Sequence, residues 1–302
     1  MSEVTRASRD LFPAPPPGSR IAVLGAGTMG HGIAQVAAMA GYEVRLFDVQ
    51  ASALKAALER IRRNLERGVE LGKVEPTARE DALGRVGPVA DLAEAVAGAA
   101  VVIEAVPERL ELKRQVLAEA AAGAAPDALL ATNTSSLSIT GLAVAVPDPG
   151  RFVGVHFFNP VHIMELVEVV RGAESSEDTV RRACSLAETL GKTPIVVRDS
   201  PGFASSRLGI ALGLEAIRMV EEKVASPADI DRAMTLGYRH PMGPLRLTDL
   251  VGLDVRLEIA RYLERELNGD RFAPPALLVR MVEEGKLGKK SGEGFYTWDE
   301  IQ

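Results

Sequence analysis

The feature that most constrains the fold of this chain is a glycine-rich segment, residues 25–30, between a short apolar run and a helical pattern. The apolar run covers 21–24, the helical pattern continues to about residue 40, and a second run of strand type ends at Asp48. A strand, a tight turn, a helix and a second strand make a βαβ unit. Because such units place their strands side by side in one direction, the sequence predicts a parallel sheet.

The same segment has the spacing of a dinucleotide-binding turn. Its glycines let the backbone turn tightly and approach a pyrophosphate at the helix N-terminus, and Asp48 lies near the offset expected for a carboxylate that binds the adenosine ribose. A carboxylate there would repel the additional phosphate of NADP, so the sequence favours NAD. An ordinary aspartate at a strand end is the alternative. The predicted cofactor residues of this region are Gly25, Gly27, Thr28, Met29, Gly30 and Asp48.

The pattern of strands and helices changes near Arg198. Before it, apolar runs of strand length alternate with amphipathic segments, and after it only helical patterns follow, interrupted by prolines. We predict a flexible tail at 1–19, a doubly wound, mainly parallel α/β domain of the Rossmann type at 20–198, and an all-helical C-terminal domain at 199–302. The predicted strands are 21–24, 44–48, 100–104, 128–131, 152–156, 166–170 and 194–197, and the first domain's main predicted helices are 28–40, 51–71, 108–122 and 176–190.

Composition and charge exclude several function classes. The formal net charge is −6, so the chain has no overall basic field to attract nucleic acid or an anionic membrane. The sequence has no stretch of the roughly 20 apolar residues that a transmembrane helix needs, and residues 1–19 lack a signal-peptide pattern. Cys184 is the only cysteine, which excludes an internal disulfide and fits a reducing compartment. We expect a cytoplasmic protein that binds neither nucleic acid nor membrane.

Two polar residues on neighbouring predicted strands are candidates for acid–base chemistry. His156 ends the strand at 152–156, and Glu168 lies among valines and leucines in the next strand. A buried carboxylate without a partner is costly, so we expect the two to pair. An imidazole that titrates near neutrality suits removal of a hydroxyl proton while hydride leaves the carbon that bears the hydroxyl group. A structural histidine and a solvent-facing glutamate are the alternatives, and the lack of paired i, i+4 histidines argues against a metal site.

Longer motifs establish a resemblance that covers nearly all of the chain from Arg20 to Trp298. These motifs combine residues in rare patterns, and they follow the order found in the L-3-hydroxyacyl-CoA dehydrogenases, a family that the chain resembles. They are GAGTMGHG at 25–32, EAVPE at 104–108, NTSSL at 133–137, HFFNP at 156–160, LVEV at 166–169, HPMGPL at 240–245, TDLVGLD at 248–254 and GKKSGEGFY at 288–296.

The resemblance implies a reversible, NAD-dependent oxidation of L-3-hydroxyacyl-CoA to 3-ketoacyl-CoA, as in the β-oxidation of fatty acids. It implies that His156 is the general base, that Glu168 orients it, and that the chain forms a homodimer through its helical domain. Ser135 and Asn159 match residues that bind the substrate and position the histidine, although residues 133–136 could also form only a turn and a helix cap. The further residues assigned to the cofactor are Glu108, Lys113, Asn133 and Lys290.

Three residues bear on the acyl-CoA substrate. Asn64 matches a coenzyme A contact of the family, and Arg67 lies on the basic face of the same predicted helix, where it could bind a phosphate or simply be solvated. Ser206 departs from the family, much of which has an active-site asparagine at this position. Because serine lacks the paired donor and acceptor of an amide, we expect Ser206 to affect chain-length preference more than the reaction.

Two other functions stay open on the sequence alone. The chain could be an NAD-dependent dehydrogenase of a free hydroxy acid or sugar acid, or a non-catalytic NAD-binding protein. Asn64 and the basic helix favour a coenzyme A thioester over a free acid. The pair of His156 and Glu168 argues against a purely structural role, which would not need it.

Overall fold

The computed structural model describes residues 13–298, which form two compact units that divide between Ser200 and Pro201. The predicted boundary lies close by, after Arg198. The first twelve residues of the predicted tail lie outside the described residues. Residues 13–19 contact the first unit. The Tyr42 hydroxyl donates to the Pro15 carbonyl at 2.8 Å.

A single sheet forms the centre of the first unit. Within residues 13–298 its eight strands have the order β3-β2-β1-β4-β5-β6-β7-β8, and all neighbours are parallel except β6 and β7. The strand order reverses between β1 and β4, which is where doubly wound sheets bind ligands. The strands are β1 (Arg20–Leu24), β2 (Glu43–Phe47), β3 (Val86–Val89), β4 (Ala99–Glu104), β5 (Leu129–Thr132), β6 (Phe152–Phe157), β7 (Leu166–Arg171) and β8 (Thr193–Arg198).

Helices cover the sheet because their apolar stripes face it. On the long helix α2, the buried residues Leu54, Ala57, Ile61 and Leu65 recur at helical spacing and join the core around β1 and β2. The helices of this unit are α1 (Gly30–Met39), α2 (Ala51–Glu70), α3 (Pro76–Gly84), α4 (Leu92–Val96), α5 (Leu110–Gly123), α6 (Ile139–Ala143) and α7 (Glu177–Thr189), with a short 3-10 turn at Pro149–Arg151.

The second unit is helical, as the sequence predicts. Its prolines begin helices more than they interrupt them, since Pro227 and Pro244 each occupy the first turn, where a missing N–H costs nothing. A π-helical segment, Ala233–Gly237, follows α9, and 3-10 turns occur at Asp270–Phe272 and Lys289–Ser291. The α-helices are α8 (Ser205–Glu221), α9 (Pro227–Arg232), α10 (Pro244–Val251), α11 (Leu253–Leu267) and α12 (Ala276–Glu283).

Two buried carboxylates of the second unit accept hydrogen bonds from residues 295–298. Asp249 accepts hydrogen bonds from the backbone N–H groups of Phe295 and Tyr296 and from the Trp298 indole N–H, at 2.9, 3.0 and 2.9 Å. Asp231 accepts a hydrogen bond from the Tyr296 hydroxyl at 2.7 Å. Burial and the nearby Asp231 carboxylate raise the pKa of Tyr296, which keeps its hydroxyl a donor.

Within residues 13–298, no helix is both long and apolar enough to span a lipid bilayer.

Candidate active site

A cavity of about 720 Å³ lies at the carboxyl ends of the central strands of the first unit. Doubly wound sheets generally bind their ligands outside the carboxyl ends of the strands, at the point where the strand order reverses, and this cavity lies there. Its walls come from the glycine turn, from the ends of β2 and β4 to β6, and from the first half of α5. The lining residues include Gly25, Gly27, Thr28, Met29, Asp48, Glu108, Lys113, Asn133, Ser135, His156 and Asn159.

The glycine turn can hold a dinucleotide pyrophosphate. Gly25 has φ +107°, and a Cβ there would come within 2.7 Å of the Ala105 carbonyl oxygen, so no side chain fits. A Cβ at Gly30 would overlap the Gly25 carbonyl oxygen, whereas open space lies next to Gly27. No side chain caps the N-terminus of α1, and its first turn carries no acidic residue. The N–H groups and dipole of this helix end therefore remain available to an anion, which fits NAD.

Asp48 follows β2 at one end of the cavity. Its carboxylate accepts hydrogen bonds from the N–H groups of Ala26 and Gln50, both at 2.9 Å. The first of these contacts ties the strand end to the glycine turn. A carboxylate held there has the position and charge expected of a ribose ligand that disfavours a 2′-phosphate.

His156 and Glu168 lie directly opposite each other in the antiparallel pair of β6 and β7. The His156 Nδ1 atom is 2.8 Å from a Glu168 carboxylate oxygen, Glu168 is fully buried, and His156 is 7% exposed where it lines the cavity. The Phe158 ring packs against the imidazole with a centroid distance of 4.6 Å. The structure therefore brings together the two residues that the sequence expects to pair, and it fixes the imidazole from two sides.

Glu108 organises the loop that follows β5. One of its carboxylate oxygens accepts hydrogen bonds from the backbone N–H groups of Ser135 and Ser136, at 2.9 and 3.1 Å, and from the Thr134 hydroxyl. Its other oxygen is 3.3 Å from the Lys113 ammonium. Burial opposes the charge of Glu108, but Lys113 and these hydrogen bonds outweigh it and lower the pKa of the carboxyl.

Asn133 connects this loop to β6. Its side-chain oxygen accepts a hydrogen bond from the Phe157 N–H at 2.9 Å, and its backbone N–H donates to the Glu104 carbonyl at 2.8 Å. Asn159 lies at the exposed rim, beyond the end of β6. The residues after β5 and β6 thus form one wall around His156.

Two predicted site residues of the first unit, Asn64 and Arg67, do not line this cavity. Asn64 lines a second cavity of about 550 Å³ and donates to the Gln35 side chain at 3.1 Å, whereas Arg67 is exposed and pairs with Glu70 at 2.8 Å. Ser206 and Lys290 belong to the second unit. Ser206 is half-buried on α8, and Lys290 is paired with Asp254. Their roles toward cofactor and substrate stay predictions.

The sequence reasoning missed one buried acid of the site, Glu104. It ends β4 and accepts hydrogen bonds from the Lys113 ammonium at 2.8 Å and from the Thr132 hydroxyl at 2.6 Å. An acidic residue in an otherwise apolar strand was the available signal: Glu104 ends such a strand, and Glu168 was identified because it lies within one. Within the described part of the chain, no three residues of the His, Cys, Asp or Glu type are arranged to hold a metal ion.

Comparisons with known proteins cover both units. Residues 20–200 match the model of the 3-hydroxyacyl-CoA dehydrogenase NAD-binding domain, and residues 202–298 match that of the C-terminal domain. A probable 3-hydroxybutyryl-CoA dehydrogenase of Bacillus subtilis is 44% identical, over 93% of this chain and 98% of the relative. A 3-hydroxyadipyl-CoA dehydrogenase of Escherichia coli is also 44% identical, over 92% of this chain and 58% of that longer protein.

Solved structures agree with the sequence comparisons. The crystal structure of an (S)-3-hydroxybutyryl-CoA dehydrogenase from Ralstonia eutropha superposes with a TM-score of 0.90 and 37% identity, over 93% of this chain and 99% of that one. The fold, the fit of the cavity to NAD and both family matches lead to one conclusion: the chain belongs to the 3-hydroxyacyl-CoA dehydrogenase family and is an NAD-dependent enzyme of that class.

Proposed function

We propose that the chain oxidises L-3-hydroxyacyl-CoA to 3-ketoacyl-CoA with His156 as the general base and Glu168 as the residue that orients it. The observation that carries this proposal is the 2.8 Å contact between His156 Nδ1 and the buried Glu168 carboxylate, at the wall of the cofactor cavity. The carboxylate holds the Nδ1 proton, so Nε2 is the atom that accepts the substrate hydroxyl proton. The negative charge then stabilises the imidazolium that forms.

NAD, when bound, supplies the hydride acceptor. The residues of this chain bind it, orient the substrate and move the proton. Ser135 and Asn159 line the same cavity as His156 and carry a hydroxyl and an amide. We propose that they donate hydrogen bonds to the substrate oxygens, among them the C3 oxygen, which gains negative charge as its proton leaves and loses it again when hydride departs and the carbonyl forms.

The coenzyme A tail would bind in the second cavity, beside α1 and α2. Asn64 lines it together with Lys73, His162 and Lys192. Lys73 is exposed, and the Lys192 ammonium donates to the backbone carbonyls of residues 161 and 164, at 2.5 and 2.9 Å. Two ammonium groups beside an amide suit the phosphates and adenine of coenzyme A better than Arg67, whose charge is already paired with Glu70.

A short acyl group fits the relatives best, because the Bacillus subtilis and Ralstonia eutropha proteins are both named for 3-hydroxybutyryl-CoA. The name of the Escherichia coli relative specifies a longer, dicarboxylic acyl group, so chain length varies among proteins of similar identity. Ser206, which replaces the asparagine common in the family, is the position that we expect to influence this choice.

A homodimer formed by the second unit completes the proposal. Several large apolar side chains of this unit lie exposed, among them Leu208, Leu236 and Tyr238 at 71%, 78% and 75%. Exposed apolar groups in this number mark protein contact surfaces. Sedimentation velocity of the purified chain tests the assignment, and a monomer at micromolar concentration would contradict it.

The reaction is tested by following NADH oxidation with acetoacetyl-CoA and, separately, with acetoacetate. We expect turnover of the thioester and none of the free acid, with free coenzyme A acting as a competitive inhibitor. Turnover of acetoacetate alone would overturn the substrate assignment and support a free hydroxy acid dehydrogenase.

The base is tested with His156→Ala. Loss of a general base lowers kcat by about 10²–10⁴-fold, while the dissociation constant for NADH should stay near that of the wild type. A His31→Ala variant serves as the matched control, because His31 is the other histidine near the cofactor turn and bonds only to the Gly27 carbonyl. Near-normal kcat in the His156 variant would refute the assignment.

A further inference from the structure

Three charged side chains form a cluster at the end of β4: Glu104, Glu108 and Lys113. Glu104 is fully buried, and its two carboxylate oxygens receive the Lys113 ammonium at 2.8 and 3.0 Å, the Val106 N–H at 2.6 Å and the Thr132 hydroxyl at 2.6 Å. The ammonium and the backbone N–H are obligate donors. Four donated hydrogen bonds are the environment of an ionised carboxylate.

The Thr132 hydroxyl supports this assignment. Its oxygen also accepts a hydrogen bond from the Thr134 N–H, at 3.3 Å, so its own proton points to Glu104. Burial raises the pKa of Glu104, and Lys113, Thr132 and the Val106 N–H oppose that rise by stabilising the charged form.

The charges of the cluster do not cancel. Lys113 is 1% exposed and is the ion-pair partner of both carboxylates, at 2.8 Å from Glu104 and 3.3 Å from Glu108. One ammonium and two carboxylates leave a formal charge of −1. Because Glu104 and Lys113 are buried and Glu108 is partly exposed, water screens this charge less than it would screen a charge on the open surface.

The position of the cluster relates it to one half of the cofactor. The glycine turn fits the pyrophosphate and Asp48 lies beyond it on the β2 side, which is the adenosine side of such a cavity. The nicotinamide half would then lie across the switch point, over the ends of β4, β5 and β6. Lys113 and Glu108 line the cavity there, together with Asn133 and Ser135.

We propose that Glu104 supplies a fixed negative charge near the nicotinamide end of the cavity and so favours the oxidised cofactor over the reduced one. The oxidised nicotinamide ring carries a positive charge and the reduced ring carries none. A fixed charge of −1 near the ring therefore stabilises NAD⁺ and leaves NADH almost unaffected. The inference rests on cofactor binding and not on the identity of the acyl-CoA.

The test is the pair of dissociation constants for NAD⁺ and NADH, measured by calorimetry and by NADH fluorescence, for the wild type and Glu104→Gln. The substitution keeps the side-chain length and removes one charge. We expect the dissociation constant of NAD⁺ to rise on the order of tenfold more than that of NADH. Equal weakening of both, or no change in either, would overturn the proposal, because general structural damage affects both forms alike.

Two further variants separate charge from shape. Thr132→Val removes a hydrogen bond to Glu104 but no charge, so the ratio of the two constants should stay at the wild-type value. Glu104→Gln combined with Lys113→Met restores a formal charge of −1, since only Glu108 stays charged, and the ratio should return toward the wild type. A double variant with the ratio of Glu104→Gln would refute a charge effect.

A variant that does not fold leaves the proposal testable. Glu108→Gln removes the same charge from the more exposed end of the cluster and should move the ratio in the same direction, whereas an unchanged ratio would contradict the proposal. Turnover of acetoacetyl-CoA by the wild type is independent of all these ratios. A failure here is therefore distinguishable from a failure of the proposed function.

Discussion

Each unit of this protein buries carboxylates, but their partners differ in kind. In the first unit, Glu104 and Glu168 are fully buried and receive hydrogen bonds from an ammonium and an imidazole whose residues line a cavity. In the second unit, Asp231 receives hydrogen bonds from the Leu245 N–H and the Tyr296 hydroxyl, and Asp249 receives them from backbone N–H groups and the indole of residues 295–298. Burial alone therefore does not identify a functional acid. We expect a side-chain ammonium or imidazole among its donors to be a better indicator.

Among the variants that test this contrast, Glu168→Gln should have the largest effect, which is a loss of kcat. The amide can still accept a hydrogen bond from His156, but it no longer stabilises an imidazolium, so kcat should fall on the order of a hundredfold or more. Steady-state kinetics with acetoacetyl-CoA, together with a thermal unfolding curve, measure this. A large loss of stability with normal kcat would place Glu168 with the architectural acids.

Asp249→Asn is the matched variant in the second unit. Its three donors lose a charged acceptor, so the free energy of unfolding should fall by about 2–4 kcal/mol, while kcat per folded molecule stays unchanged. Urea unfolding followed by the fluorescence of Trp298, the chain's only tryptophan, reports on this unit directly. Loss of kcat comparable with that of the Glu168 variant would break the comparison.

Asp48 tests the boundary between the two kinds of acid. It accepts two backbone N–H groups, as Asp249 does, yet it lines the cofactor cavity. We expect Asp48→Ala to weaken NAD binding by about tenfold and to relax discrimination against NADP, because a ribose ligand and a repelling charge are both lost. Binding constants for NAD and NADP measure the effect.

Asp48→Asn provides the control for this prediction, since it removes the charge and keeps most of the shape. It should recover part of the NAD affinity but none of the discrimination against NADP. An unchanged preference between NAD and NADP in both variants would make Asp48 an architectural residue.

The sequence predicted most of the sheet but missed β3. Apolar runs bounded by turn residues identified the other seven strands. The central strands β1 and β4 to β6 are largely buried and therefore apolar, whereas the edge strand β8 is apolar although it is mostly exposed. The strand Val86–Val89 contains Gly87 and Pro88, which are rare in strand interiors. It lies at the edge of the sheet, where a missing N–H is tolerated, so tertiary position outweighed propensity.

The site was predictable where a single chemical demand linked two strands. A buried glutamate needs a partner, and His156 was the titratable residue on the preceding strand. The Lys113 contact of Glu104 was not predictable in this way, because it depends on how α5 returns to the end of β4. The partners of Asp249 lie 46 to 49 residues further along the chain, and no local sequence pattern predicts them.

The antiparallel pairing of β6 and β7 affects how an enzyme of this kind can acquire new substrates. A backbone ladder joins His156 to Glu168, and segment 158–165 connects the two strands. That segment carries Asn159 and reaches the second cavity at His162 and Ile163. We expect that an exchange of this connection between relatives that keeps Asn159 would alter which thioester is accepted, while the ladder holds His156 and Glu168 in a fixed register.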